Sequence, residues 1–212
     1  MNLILLGAPG AGKGTQGDLI SNRLGIPTIS TGNMLREAVA NGSELGKQVK
    51  KYMEEGALVP DDVILSIVAE RVTQNDCANG FILDGVPRTL AQAEALDAKG
   101  VRIDYVVSLE VDDEVITGRM SGRRVCKDCG ASFHIANNPP KTEGVCDHCG
   151  GPVITRKDDD PATVRHRLEV YHGATEVLKD YYAKQSKLRE VEGNQPIEDA
   201  FRDVMKAIGV TV

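Results

Sequence analysis

The chain has no basic excess: 25 lysines and arginines stand against 31 aspartates and glutamates, a net charge of −6 at neutral pH. A dedicated nucleic-acid binder shows a basic face or stripe, so this balance argues against a nucleic-acid partner while leaving room for a local basic cleft. No apolar run approaches the length needed to cross a bilayer, and no membrane association is expected. The first residues lack a charged stretch followed by a long apolar segment. A secretory signal is therefore not expected, and a cytoplasmic location is. In a reducing compartment the five cysteines serve metal binding more readily than disulfides. What is present is an ordinary soluble composition, 41% hydrophobic and 26% charged over 212 residues, enough for one well-buried domain with insertions.

The apolar run Met1–Leu6 leads directly into Gly-Ala-Pro-Gly-Ala-Gly-Lys-Gly-Thr at positions 7–15. This is the spacing of a glycine-rich phosphate loop between a strand and a helix, and it marks a nucleotide phosphate binder. Successive amide N–H groups there point into one concavity, the dipole end of the following helix faces the anion, and Lys13 reaches the β- and γ-phosphates. Gly14 stands where most such loops carry a Ser or Thr on Mg²⁺, and Thr15 is one place further on. The loop is therefore expected to hold the metal less directly.

Short apolar runs then alternate with helical periods. Strands are expected at Met1–Leu6, Thr28–Ile29, Phe81–Leu83, Tyr105–Leu109 and Leu188–Val191. Helices are expected over Gly14–Leu24, from a Ser30 or Thr31 cap to about Val39, over Ser43–Glu54 and from Pro60-Asp61 onward. Further helices are expected over Thr89–Lys99, from an Asp112 cap to Met120, over Ala162–Lys187 and over Ile197–Ile208. Alternating βα units imply a parallel sheet covered on both faces. From Gly122 to about Asp160 there is no helical period, only a stretch rich in Gly, Pro, Cys, Lys and Asp, which reads as an inserted module.

Within that module Cys126-x₂-Cys129 is followed, sixteen residues on, by Cys146-x₂-Cys149, and Gly130 and Gly150 trail the two pairs. The spacing matches a tetrahedral four-cysteine Zn²⁺ site, with two disulfides as the competing arrangement. Four thiolates need neither His134 nor His148, so both are expected at the surface. Cys77 reads as a small packing residue. So small a unit cannot bury a core of its own, and a metal would organise it.

Arg36, Arg88, Arg119, Arg123, Arg156 and Arg167 lie beside segment ends or beside the insert. Arg88 follows Asp84-Gly85-Val86-Pro87 at the carboxyl end of a strand, where open α/β sheets bind ligands. Arg119 and Arg123 share a face if their helix continues. Phosphoryl transfer between two polyanions needs such a density of cations. Asp84 is placed to bind Mg²⁺ or its waters, or else to cap a helix.

These residues together resemble the adenylate kinase family, in its form with a long zinc-binding lid. The resemblance covers essentially the whole chain. It rests on Gly7–Thr15, Ile29-Ser30-Thr31-Gly32, Asp84-Gly85-Val86-Pro87-Arg88, Gly122-Arg123-Arg124, Arg156-Lys157-Asp158-Asp159 and Arg165-His166-Arg167-Leu168. It implies a P-loop NTPase-like α/β fold with five parallel strands and flanking helices. The core would comprise residues 1–29, 60–121 and 160–212, with an AMP-binding insert at 30–59 and a lid at 122–159. The implied reaction is Mg²⁺-dependent transfer from ATP to AMP, giving two ADP; a kinase for UMP or CMP, or a zinc-ribbon ATPase, is the alternative. Gly10, Ala11, Gly12, Lys13, Gly14, Thr15, Arg119, Arg123, Ser132, Phe133 and Gln195 would bind ATP. Thr31, Arg36, Ala57, Leu58, Val59, Gly85, Val86, Pro87, Arg88, Gln92, Arg156 and Arg167 would bind AMP. Lys13, Asp84, Arg88, Arg123, Arg156 and Arg167 would serve catalysis. The chain departs from the family pattern at Asn33, Val86 and Gln195, where Asp or Glu, Phe and Lys are usual. Nothing points to an obligate interface, so a monomer is expected.

Overall fold

The computed structural model of the chain describes residues 1–211. Five parallel strands form its central sheet: β1 (Asn2–Leu6), β2 (Thr28–Ser30), β3 (Phe81–Asp84), β4 (Tyr105–Glu110) and β8 (Leu188–Glu192), in the order β2-β3-β1-β4-β8. β1 is central, with Leu3 opposite Ile82 on one side and Tyr105 on the other. Its side chains alternate between two cores, as the two-residue period of a strand requires. Ile4 and Leu6 pack with α2 (Thr31–Ala40), α3 (Glu44–Glu55), α4 (Asp61–Arg71), α5 (Leu90–Ala98) and α8 (Leu178–Lys184). Leu3 and Leu5 pack with α1 (Lys13–Leu24) and α9 (Ile197–Ala207). Connections leave β1 toward β2 and β3 on one side and toward β4 and β8 on the other. The crevice this opens lies at the carboxyl end of β1, where the phosphate loop sits.

The stretch after α6 (Asp113–Gly122) is ordered as a separate antiparallel sheet, β6-β5-β7, from β5 (Arg123–Cys126), β6 (Ser132–His134) and β7 (Val153–Ile154). Its core is only Cys126, Phe133 and Cys146, with Ala131 and Val153 packed against them. The chain returns through α7 (Pro161–Val170), which packs on α6 through Ile116, Met120, Val164 and Leu168. Asp160 caps α7, its carboxylate accepting from the N–H groups of Ala162 and Thr163.

Four local expectations change. The helix expected over 162–187 is broken: α7 ends at Val170, a π-helical turn spans Tyr171–Thr175, and α8 stops at Lys184. Within that turn Thr175 Oγ1 donates to Arg88 O at 2.8 Å, tying it to the segment after β3. Ser30 and Asp112 occupy N-cap positions without capping through their side chains. Ser30 Oγ donates to Asp84 Oδ2 (3.3 Å), and Asp112 Oδ2 accepts from Asn194 Nδ2 (2.9 Å). Arg119 and Arg123 do not share a helix face, because α6 ends at Gly122 and Arg123 opens β5. His134 is half-buried, its Nδ1 accepting from the N–H groups of Ala136 and Asn137 at 3.1 and 3.2 Å.

Candidate active site

The phosphate loop runs from Gly7 to Gly12 and feeds α1 at Lys13. Gly10 shows why this loop needs glycine: its φ is +94°, and a Cβ there would stand 2.9 Å from Met120 Sδ. Lys13 Nζ turns back into the loop and donates to Gly7 O at 2.7 Å and Ala8 O at 2.9 Å. Burial lowers the Lys13 ammonium to about 8. Asp84 opposes that shift, while Arg88, Arg167 and Arg123 add to it.

The loop opens onto a single cleft of about 1800 Å³, above the roughly 300–1,000 Å³ of an ordinary small-molecule pocket. Gly10 to Thr15, Arg36, Leu58, Asp84, Gly85, Pro87, Arg88, Arg119, Arg123, Ser132, Phe133, Arg156, Arg167 and Gln195 all line it. Thr31, Ala57, Val59, Val86 and Gln92 do not. Thr31 is buried and donates to Gly85 O at 3.1 Å. Gln92 is buried too; its Oε1 accepts from Arg88 N (2.7 Å) and its Nε2 donates to Asp61 Oδ1 (2.6 Å). Both therefore support the wall that carries Gly85 and Arg88.

At the far side three arginines converge on two carboxylates. Arg123 makes a two-pronged contact with Asp159, whose side chain is 1% exposed. Arg156 grips Asp158 in the same way, and Arg167 Nη1 donates to Asp158 Oδ2 at 2.8 Å. Burial alone would raise the Asp158 carboxyl. The Arg156 hydrogen bond and the charges of Arg156, Arg167 and Arg123 outweigh it and hold the group well below the usual carboxylate range. Asp158 and Asp159 fell outside the expected site residues, although they lie in one of the segments that carry the resemblance. They fix the three guanidinium groups at the cleft by charge-assisted hydrogen bonds. On the opposite flank Arg119 Nη2 donates to Gly193 O (2.7 Å), and Gln195 Nε2 donates to Glu192 O (2.8 Å) and Asp203 Oδ2 (3.0 Å).

Cys126, Cys129, Cys146 and Cys149 bring four Sγ atoms within 4.8 Å of one another, and all are free thiols. Cys126 and Cys149 are 3.4 Å apart, Cys129 and Cys146 3.6 Å. Four sulfurs about 2.3 Å from a central ion lie roughly 3.8 Å from one another, so the cluster has the size of a metal cage. The competing pair of disulfides is not formed.

Among the described residues no helix is long and apolar enough to cross a membrane. The adenylate kinase family model matches residues 5–187. An adenylate kinase of Caldicellulosiruptor saccharolyticus is 55% identical over 214 residues, covering 99% of this chain and all of the relative. One from Archaeoglobus fulgidus is 52% identical over 208 residues, 96% of each. One from Carboxydothermus hydrogenoformans is 49% identical over 212 residues, 98% of this chain and 99% of the relative. A matching family model, relatives alike from end to end, and a phosphate loop facing an arginine-lined cleft agree: the chain belongs to the adenylate kinase family.

Proposed function

We infer that this chain transfers a phosphoryl group reversibly from Mg²⁺-bound ATP to AMP, giving two ADP. The observation that carries the reading is the single cleft. It is large enough for two nucleotides and is lined at once by the phosphate loop, the Gly85–Arg88 wall and Arg36, Arg123, Arg156 and Arg167. ATP takes Gly10 to Thr15 with Arg119, Arg123, Ser132, Phe133 and Gln195. AMP takes Arg36, Leu58, Gly85, Pro87 and Arg88, with Thr31, Ala57, Val59, Val86 and Gln92 shaping its pocket from behind and Arg156 and Arg167 facing its phosphate. Asp84, with its carboxylate at the end of β3, is the group offered to the Mg²⁺ water shell, which spreads charge on the phosphates. No covalent intermediate is needed; alignment, cation density and exclusion of water supply the catalysis. Residues 1–29, 60–121 and 160–212 act as the core, and the segments 30–59 and 122–159 as moving inserts that close over AMP and ATP. A monomer is proposed, since the reading requires no group from a second chain, and it requires neither nucleic acid nor membrane. A cytoplasmic location fits the nucleotide substrates and the free thiols.

A coupled assay with AMP, CMP, UMP and GMP as acceptors tests the reading. AMP is the expected substrate; equal turnover with CMP or UMP would overturn the assignment.

The thiolate cage is proposed to bind one Zn²⁺ in a structural role, because Cys126 and Cys146 belong to the small core of β5–β7 and none of the four lies in the phosphate loop. Metal binding energy is then folding energy for this segment. Chelation or Cys129→Ser should lower the melting midpoint by several degrees, while activity persists at temperatures where the segment stays folded. Unchanged melting in metal-free protein would remove the structural role. Loss of all turnover with the segment still folded would make the metal catalytic.

A further inference from the structure

The turn that closes the first cysteine pair ends on Gly130. Its φ of +74° and its N–H bond to Cys126 O (3.1 Å) place its Cα at an outer corner of the thiolate cluster. Asn33, in the first turn of α2, lies against that corner. A Cβ built on Gly130 would stand 3.0 Å from Asn33 Nδ2, 3.2 Å from Cγ and 3.4 Å from Oδ1. The three atoms are nearly equidistant, so the amide plane lies face-on to the glycine, and any side chain at 130 would displace it.

The same amide has a second task. Asn33 Oδ1 accepts from Arg36 Nη2, one turn further along α2. Arg36 also lies over Gly32, where a Cβ would stand 3.2 Å from both Nη1 and Nη2. The guanidinium is thus fixed on one side by backbone and on the other by an amide that is itself backed by the cysteine turn. Arg156, Arg123 and Arg167 repel it and Asp158 attracts it. Without a tether, the charge would be pushed off its position by three like neighbours.

We propose that Asn33 is a positioning residue through which closure of the cysteine-bearing segment is transmitted to Arg36: the Gly130 corner braces the Asn33 amide, and the braced amide holds the Arg36 guanidinium on the acceptor phosphate. The proposal rests on the reading of Arg36 as an AMP phosphate ligand. It makes the donor and acceptor sites thermodynamically coupled, since a donor nucleotide that draws the segment shut also orders the acceptor arginine. The coupling is reciprocal.

The test is calorimetric titration of AMP into the zinc-loaded protein, with and without a saturating β,γ-imido analogue of ATP. In the natural protein the analogue should tighten AMP by about five- to tenfold, within the usual range for coupled sites. Asn33→Ala should reduce that gain to less than about twofold. The position is an exposed helix site where Ala is the better helix former, so folding is retained. Asn33→Asp keeps both the shape against Gly130 and an acceptor for Arg36. Its added charge should weaken AMP equally in both titrations and preserve the gain. An absent gain in the natural protein, or an equal gain in Asn33→Ala, overturns the proposal. Arg36→Ala in the same titrations separates the two levels. If AMP binds normally there, Arg36 is not its ligand and both readings fall. If AMP weakens there while Asn33→Ala keeps its gain, only the brace falls.

Discussion

Lys13→Met is expected to lower kcat by about 10²–10³-fold, the loss seen when one preorganised donor to developing charge is removed, or roughly 2.7–4 kcal/mol of transition-state stabilisation. The ammonium is already inside the loop, held by Gly7 O at 2.7 Å and Ala8 O at 2.9 Å. Burial and three arginines bring it down to about 8, with only Asp84 opposing. A positive charge so poorly compensated gains most when a polyphosphate replaces the two carbonyls. Met fills the same length without charge, so the loss falls on chemistry and not on packing. It leaves the carbonyls of the buried residues Gly7 and Ala8 without that donor, a stability cost of roughly 1–3 kcal/mol that the melting curve reads. Steady-state kinetics beside a melting curve decide the matter. Turnover within a fewfold of normal in a folded variant would displace Lys13 from the mechanism.

The parts of this site that could be read from sequence are those whose causes are local. The β1 run and the loop spacing need no distant partner, and the four cysteines announce their cluster by two short intervals and two trailing glycines. What could not be read depends on contacts between distant segments. Ser30 and Asp112 have cap-forming side chains, but Asp84 and Asn194 engage them instead. A helical period continues past Val170, yet a π turn interrupts it at Tyr171–Thr175, where Thr175 Oγ1 reaches a carbonyl 87 residues earlier. Asp159 is an ordinary acid until Arg123, 36 residues before it, closes on it. Gln92 adds a structural task that its spacing does not announce: both ends of its amide are engaged, by Arg88 and Asp61.

The cleft wall that carries Arg88 is why Arg88→Ala should differ from Arg36→Ala. Arg88 is fixed at three points: its N–H donates to Gln92 Oε1 (2.7 Å), its carbonyl accepts from Thr175 Oγ1 (2.8 Å), and its Nε donates to Gly85 O (2.9 Å). The guanidinium therefore sits on a rigid frame at the carboxyl end of β3. Burial lowers its proton affinity, as does Arg156, with Asp84 and Asp158 opposing; an arginine nonetheless keeps its charge at neutral pH. Arg88, Asp84 and Lys13 line one cleft, and in the proposed reaction this fixed cation meets the transferring phosphoryl group, so its interaction would grow as charge develops. Truncation should lower kcat by about 10²–10³-fold and raise KM for AMP as well. Arg36 has a single side-chain hydrogen bond, to the Asn33 amide, and lies over Gly32. Its loss should raise KM for AMP and leave kcat largely intact, the pattern of a contact made equally in the ground and transition states. The frame around Arg88 keeps its two backbone bonds in the Ala variant, so both proteins should melt within a few degrees of the natural chain. Initial rates over a grid of ATP and AMP concentrations distinguish the outcomes. If either truncation changed only the KM for ATP, the donor and acceptor ends of the cleft would have to be exchanged.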